Sequence, residues 1–137
     1  MSANEIGIFV RSEEQLPRAE AAAKAGGTYP VRLSETLISA AGKVSVGTMH
    51  LAKGLEFQAV VAMACDDEIL PLQSRIESVS DDSDLAEVYD TERHLLYVAC
   101  TRARDHLLVS GVKPASEFLN DLTECWERRI QRPARAQ

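Results

Sequence analysis

The sequence predicts a three-layer α/β domain with a mainly parallel sheet, and three observations carry that expectation. Short continuous apolar runs alternate with stretches of helical periodicity, the connections between them are short, and polar residues recur where the apolar runs end. Strands that read as unbroken apolar runs are covered on both faces, as in a parallel sheet held between helical layers. In such sheets the working edge lies beyond the carboxyl ends of the strands.

The first run, Ile6 to Val10 in EIGIFVRS, is short and β-rich. Ser12, with Gln15 three residues on, has capping-box spacing. A helix is therefore expected from there to Ala25, burying Leu16, Ala19 and Ala23 and stopping at Gly26-Gly27. Tyr29 to Leu33 reads as a strand, with Ser34 as a helix cap and Gly42 as a stop. VSVGT (44–48) and AVVAMAC (59–65) both have the apolar character of parallel-sheet interiors.

Asp84 with Glu87 marks the start of a long helix, whose apolar face is Leu85, Val88, Tyr89, Leu96, Ala99, Cys100 and Ala103. Glu92 falls on that face, and a carboxylate aimed at a core must find donors or bear a large desolvation cost. Tyr97 reads as a core-filling side chain. HLLVS (106–110) is a further strand. Ser116 opens a last helix, SEFLNDLTECWERRI, with Trp126 packed against the sheet, and the tail QRPARAQ is expected to fray.

At 137 residues the chain fits one domain, and 45% apolar with 26% charged residues is ordinary for a globular protein. Cys65, Cys100 and Cys125 lie far apart, without CxxC spacing or neighbouring histidines, so no metal site is expected and the thiols read as reduced. No run approaches about 18 consecutive apolar residues, and no basic flank precedes a long apolar stretch at the N-terminus. A cytoplasmic location with no membrane partner is the expectation.

A net charge of −6 argues against nucleic-acid binding until its distribution is considered. Between Asp66 and Glu92 ten acids face one base, Arg75, for a net −9, which leaves +3 on the remainder of the chain. The acidic stretch reads most simply as a solvated polar segment.

The polar stations are Arg11 after the first strand, then Thr48, His50, Lys53 and Glu56 after VSVGT, with Arg102 on the long helix. Arginine suits polydentate phosphate binding and a carboxylate suits a sugar hydroxyl, so the set is able to serve a nucleotide. The chain has no phosphate-cradling loop of its own. LISAAGKV has Leu37 where the first glycine belongs and Val44 where the Ser or Thr belongs, and no GxGxxG, GxSxG or acid pair after a strand occurs. A nucleotide served by these arginines must be held elsewhere.

VSVGTMHLAKGLEFQAVV resembles motif V, ERHLLYVACTRARDHLLVS resembles motif VI, and IGIFVRSEEQ resembles motif IV of the UvrD/Rep-type superfamily 1 DNA helicases. The resemblance runs from Ile6 to Ser110 and implies a RecA-like 2A domain at 1–112, a C-terminal helix of the same domain at 113–130, and a disordered tail at 131–137. In that family two RecA-like domains, 1A and 2A, clamp ATP between them while moving on single-stranded DNA.

The resemblance implies that Arg11 and Arg102 reach the γ-phosphate as catalytic arginines. Glu56 contacts the ribose or nucleotide edge, and Thr48 and His50 face the DNA. Gly54 permits the turn between these two tasks, and Lys53 helps couple nucleotide to DNA. ATP and Mg2+ are then held mainly by a 1A domain, and the implied partners are that domain and single-stranded or partly duplex DNA. Two departures stand out: Val10 occupies the position of an adenine-stacking aromatic, and only about a dozen residues lie between Tyr29 and Val44, where the family carries its 2B insertion. The alternative is a non-catalytic RecA-like module that binds single-stranded nucleic acid or a protein.

Overall fold

The structure, a computed structural model, describes residues 2–36 and 40–120. Its strands are β1 (Ile6–Val10), β2 (Pro30–Arg32), β3 (Val44–Thr48), β4 (Phe57–Ala62) and β5 (Ala103–Val109). They form one sheet in the order β2-β3-β1-β4-β5, and every pairing is parallel. Helix α1 (Leu16–Ala25) covers one face, while the long α3 (Asp82–Cys100) covers the other; the short α2 (Gln73–Glu77) precedes α3. This is the three-layer α/β arrangement the apolar runs predict.

Alternation along β1 assigns the two cores. Ile8 and Val10 point to the α1 side, where they meet Leu16, Ala19, Val44 and Val46. Phe9 points to the α3 side and packs edge-on against Phe57 at 5.7 Å between ring centroids, among Met49, Leu96 and Ala99. Gly7 is small for a reason of space: a Cβ there would lie 2.9 Å from the Phe57 ring.

Several boundaries differ from the expectation. A 3-10 turn, Glu13–Gln15, comes before α1, and Ser12 makes no side-chain cap bond. Leu16, Ala19 and Ala23 are buried as predicted, and α1 ends at Gly26. Strand β4 ends at Ala62 rather than Cys65, because Ala64 adopts a left-handed φ of 57°. Residues 64 and 65 are nevertheless buried, so the apolar run reports burial rather than strand length. Strand β5 begins at Ala103, which was expected on the helix.

Helix α3 starts earlier than Asp84. Asp81 is its N-cap, with its carboxylate accepting from the Ser83 N–H at 3.1 Å. Val88, Glu92, Leu96, Ala99 and Cys100 form its buried stripe. Tyr97 is 60% exposed, contrary to the core-filling expectation, since it stands about 100° around the helix from Leu96.

Residues 34–36 are not helical, and the rest of the helix expected after Ser34 falls partly on 37–39, outside the described residues. The Ser116 hydroxyl accepts from the Phe118 N–H at 3.3 Å at the start of a helical turn. The remainder of that helix, Cys125, Trp126 and the tail lie outside the described residues. Burial pushes the Cys65 and Cys100 thiols up to about 12 and about 11, in keeping with unreactive core thiols.

Candidate nucleotide and nucleic-acid site

Strand β1 delivers Arg11 to the carboxyl edge of the sheet, beside the end of β3, where Val10 and Thr48 are in register. Arg11 does not project into solvent. Its guanidinium is buried against Glu92 of α3, donating from Nε to Oε2 at 2.5 Å and from Nη2 to Oε1 at 2.8 Å. The expected donors of the buried carboxylate are thus found, and Glu92 joins α3 to β1 across 81 positions of sequence.

After Thr48 the chain forms a 3-10 turn, Met49–Leu51, and then crosses β1 on the α3 side to reach β4. Met49 and Ala52 are buried beneath this connection, which leaves the polar residues on its outer surface. Gly54 turns the chain with φ at 82°, a left-handed conformation that side chains resist. Thr48 is half-buried at the strand end, and its hydroxyl makes no cap bond to the turn.

A cleft of about 570 Å³ opens between this connection and α3. It is lined by Met49, His50, Lys53 and Gly54 on one side and by His94, Leu95, Val98 and Arg102 on the other. Four of the seven predicted site residues therefore meet: His50, Lys53, Gly54 and Arg102. Arg102 stands in the turn after α3 rather than on the helix. Its Nε donates to the Val98 carbonyl at 3.1 Å and Nη2 to the Thr101 hydroxyl at 3.2 Å, so the side chain lies back along the helix.

The pKa of His50 is held below its ordinary value, first by burial and then by the Arg11 charge, with Glu92 opposing and Arg75 assisting. His50 is accordingly a neutral hydrogen-bonding group near neutral pH rather than a cation.

The other predicted residues are apart from this group. Glu56 stands at the amino end of β4, exposed, with Arg104 Nε at 3.6 Å. It is nevertheless next to Phe57, whose N–H donates to the Arg102 carbonyl at 2.9 Å, so Glu56 and Arg102 flank neighbouring strand starts. The two predicted arginines are not together: Arg11 is tied to Glu92, eight residues or about 12 Å of helix rise before the end of α3 at Cys100, and Arg102 stands beyond that end.

Two residues were not anticipated. His94 lines the cleft, and its spacing from Val98 and Arg102, four residues each time, is the helical signal that was available. Arg75, the lone base of the acidic stretch, reaches to 3.6 Å from Glu92 Oε1. The cleft's cationic and neutral donors fit phosphate oxygens. Among the described residues no group of three His, Cys, Asp or Glu is placed to hold a metal ion. Likewise, no described helix is long and apolar enough to cross a membrane.

Fold and site together define an α/β domain with a wholly parallel sheet and basic residues gathered beside the crossing connection, but without a phosphate loop. The chain belongs to the UvrD-like helicase C-terminal domain family, whose profile matches residues 31–114. It is 32% identical over 108 residues to the ATP-dependent DNA helicase UvrD1 of Mycobacterium tuberculosis H37Rv, covering 69% of this chain and 13% of that protein. It is 38% identical over 80 residues to the ATP-dependent DNA helicase srs2 of Schizosaccharomyces pombe, covering 58% and 8%. A solved structure, the C-terminal domain of a possible DNA helicase from Lactobacillus plantarum WCFS1, superposes with a TM-score of 0.56 at 28% identity, over 85% of this chain and 61% of that one. The chain spans about 13% of the length of the UvrD1 relatives it matches.

Proposed function

We propose that this chain is one half of an ATP-driven DNA helicase motor, acting on ATP and Mg2+ held mainly by a separate N-terminal RecA-like domain. The observation that carries the reading is the cleft, which collects His50, Lys53, Gly54 and Arg102 from two elements distant in sequence. Arg102 and Arg11 supply positive charge to the phosphates, Glu56 contacts the sugar end of the nucleotide, and Thr48 and His50 face single-stranded DNA. Arginines aimed at a transferring phosphoryl group stabilise the charge spread over its equatorial oxygens.

His50, being neutral, contributes hydrogen bonds to a DNA strand rather than phosphate neutralisation. With only +3 outside the acidic stretch, affinity for single strands is expected to be weak and salt-sensitive. Lys53 and Gly54 lie between the two tasks on the crossing connection and link them mechanically.

The test is ATP turnover with and without DNA. The isolated chain is expected to hydrolyse no ATP. Joined to its N-terminal ATP-binding domain, it is expected to show DNA-stimulated hydrolysis that Arg102→Ala lowers about 10³- to 10⁵-fold. Unchanged turnover in that variant would sink the assignment. A joined protein that binds single strands without any turnover would instead favour a non-catalytic binding module.

A further inference from the structure

Arg11 and Glu92 are the buried charged residues among those described, with 4% and 0% of their surfaces exposed. Stability alone is a poor reason for such a pair, because well-packed apolar replacements of a buried ion pair are often neutral or better. The geometry is specific in another way. Glu92 takes Nε and Nη2 in a two-pronged arrangement that fixes the guanidinium plane. Its Oε1 is in turn approached by the Leu72 N–H at 3.4 Å and by Arg75 Nη1 at 3.6 Å, so the carboxylate is braced from α2 and the residue that caps it as well as by Arg11. Among the described residues, Arg11 Nη1 has no hydrogen-bond partner.

We infer that Glu92 is a positioning residue for Arg11, holding Nε and Nη2 so that Nη1 alone is offered to an anionic phosphate at the carboxyl edge of the sheet. This rests on the reading of Arg11 as a phosphate-binding arginine. A free arginine samples many rotamers and would need ordering each time ATP is clamped, whereas the Glu92 fork orders it beforehand. The carboxylate also prevents Arg11 from binding phosphate through both Nη atoms, which restricts it to one direction of approach.

The full-length protein carrying this domain is the material for the test, with DNA-stimulated turnover measured for Glu92→Gln, Arg11→Ala and the double variant, and folding followed by thermal melting. Glutamine keeps the size of Glu92 but offers one acceptor where Arg11 requires two. In the folded Glu92→Gln protein, kcat is expected to fall about 10²-fold with little change in KM for ATP, the scale expected for misplacing a reacting group. The double variant should be no slower than Arg11→Ala, because Glu92 acts through Arg11.

Wild-type kcat in folded Glu92→Gln, or losses that multiply in the double variant, would overturn the positioning role while leaving the arginine assignment intact. Unchanged turnover in Arg11→Ala would overturn the assignment on which the inference rests. If Glu92→Gln fails to fold, Glu92→Asp retains the charge one methylene too short to hold the fork. A folded Glu92→Asp protein should show the same loss of kcat, and wild-type kcat would overturn the proposal.

Discussion

Arg11 and Glu92 meet at the carboxyl edge of the sheet with 5% and 0% of their side chains exposed, whereas Arg104 and Glu56 meet at the amino edge with 48% and 69% exposed. The ionic groups are the same, but their surroundings are opposite. In the buried pair two short hydrogen bonds replace water at both charges. In the exposed pair a separation of 3.6 Å leaves water in competition, and screening removes most of the attraction. The difference teaches that a glutamate's role follows from its burial and its donors more than from its place in a motif: both lie in motif segments, Glu56 in that of motif V and Glu92 at the start of that of motif VI, yet only Glu92 falls on a buried helix stripe.

The largest effect that would break this comparison is on stability at the buried pair. Glu92→Ala leaves the Arg11 charge buried without its partner, and urea denaturation is expected to show a loss of about 3–5 kcal/mol. A loss no greater than that of a surface substitution would mean that Arg11 escapes to water and that the pair is not a fixed element of the fold.

The exposed pair should respond far less. Arg104→Ala and Glu56→Ala are each expected to cost roughly 0.2–1 kcal/mol, and the cost should fade as salt is raised. If Glu56 contacts nucleotide, its substitution will change KM for ATP in the complete protein while leaving the melting temperature nearly still. A large stability loss would assign it a structural task instead.

The smallest effect concerns His50, whose titration is influenced by both charges of the buried pair. Its folded pKa is lower than its unfolded one, so the unfolded chain takes up the proton first as pH falls. Stability should therefore decline from about pH 6.5 down to the folded pKa and level off below it. His50 is only partly buried, so the decline is modest, and it should flatten in His50→Asn. A decline that persists in this variant would come from another group.

Much of the fold was legible in the chain. β1 and β3 coincide with their apolar runs because a strand covered on both faces requires continuous apolar sequence. The buried face of α1 follows from its spacing, and the cleft residues His50, Lys53 and Gly54 are neighbours on one connection. The less legible features share a physical cause. The end of β4 is set by one left-handed residue, Ala64, within a run that stays buried beyond it. Tyr97 is displaced from the buried stripe by about a quarter-turn of helix, and Arg75 reaches the site from inside an acidic stretch that reads as solvated.

By itself, then, the sequence determined the alternating strands and helices, the missing phosphate loop and the motif stations, since these depend on local periodicity and on residue order. Only the tertiary structure decided which acid meets which base. Desolvation and pairing depend on what the folded chain brings together, and the partner of Arg11 lies 81 residues away, beyond the reach of any local pattern.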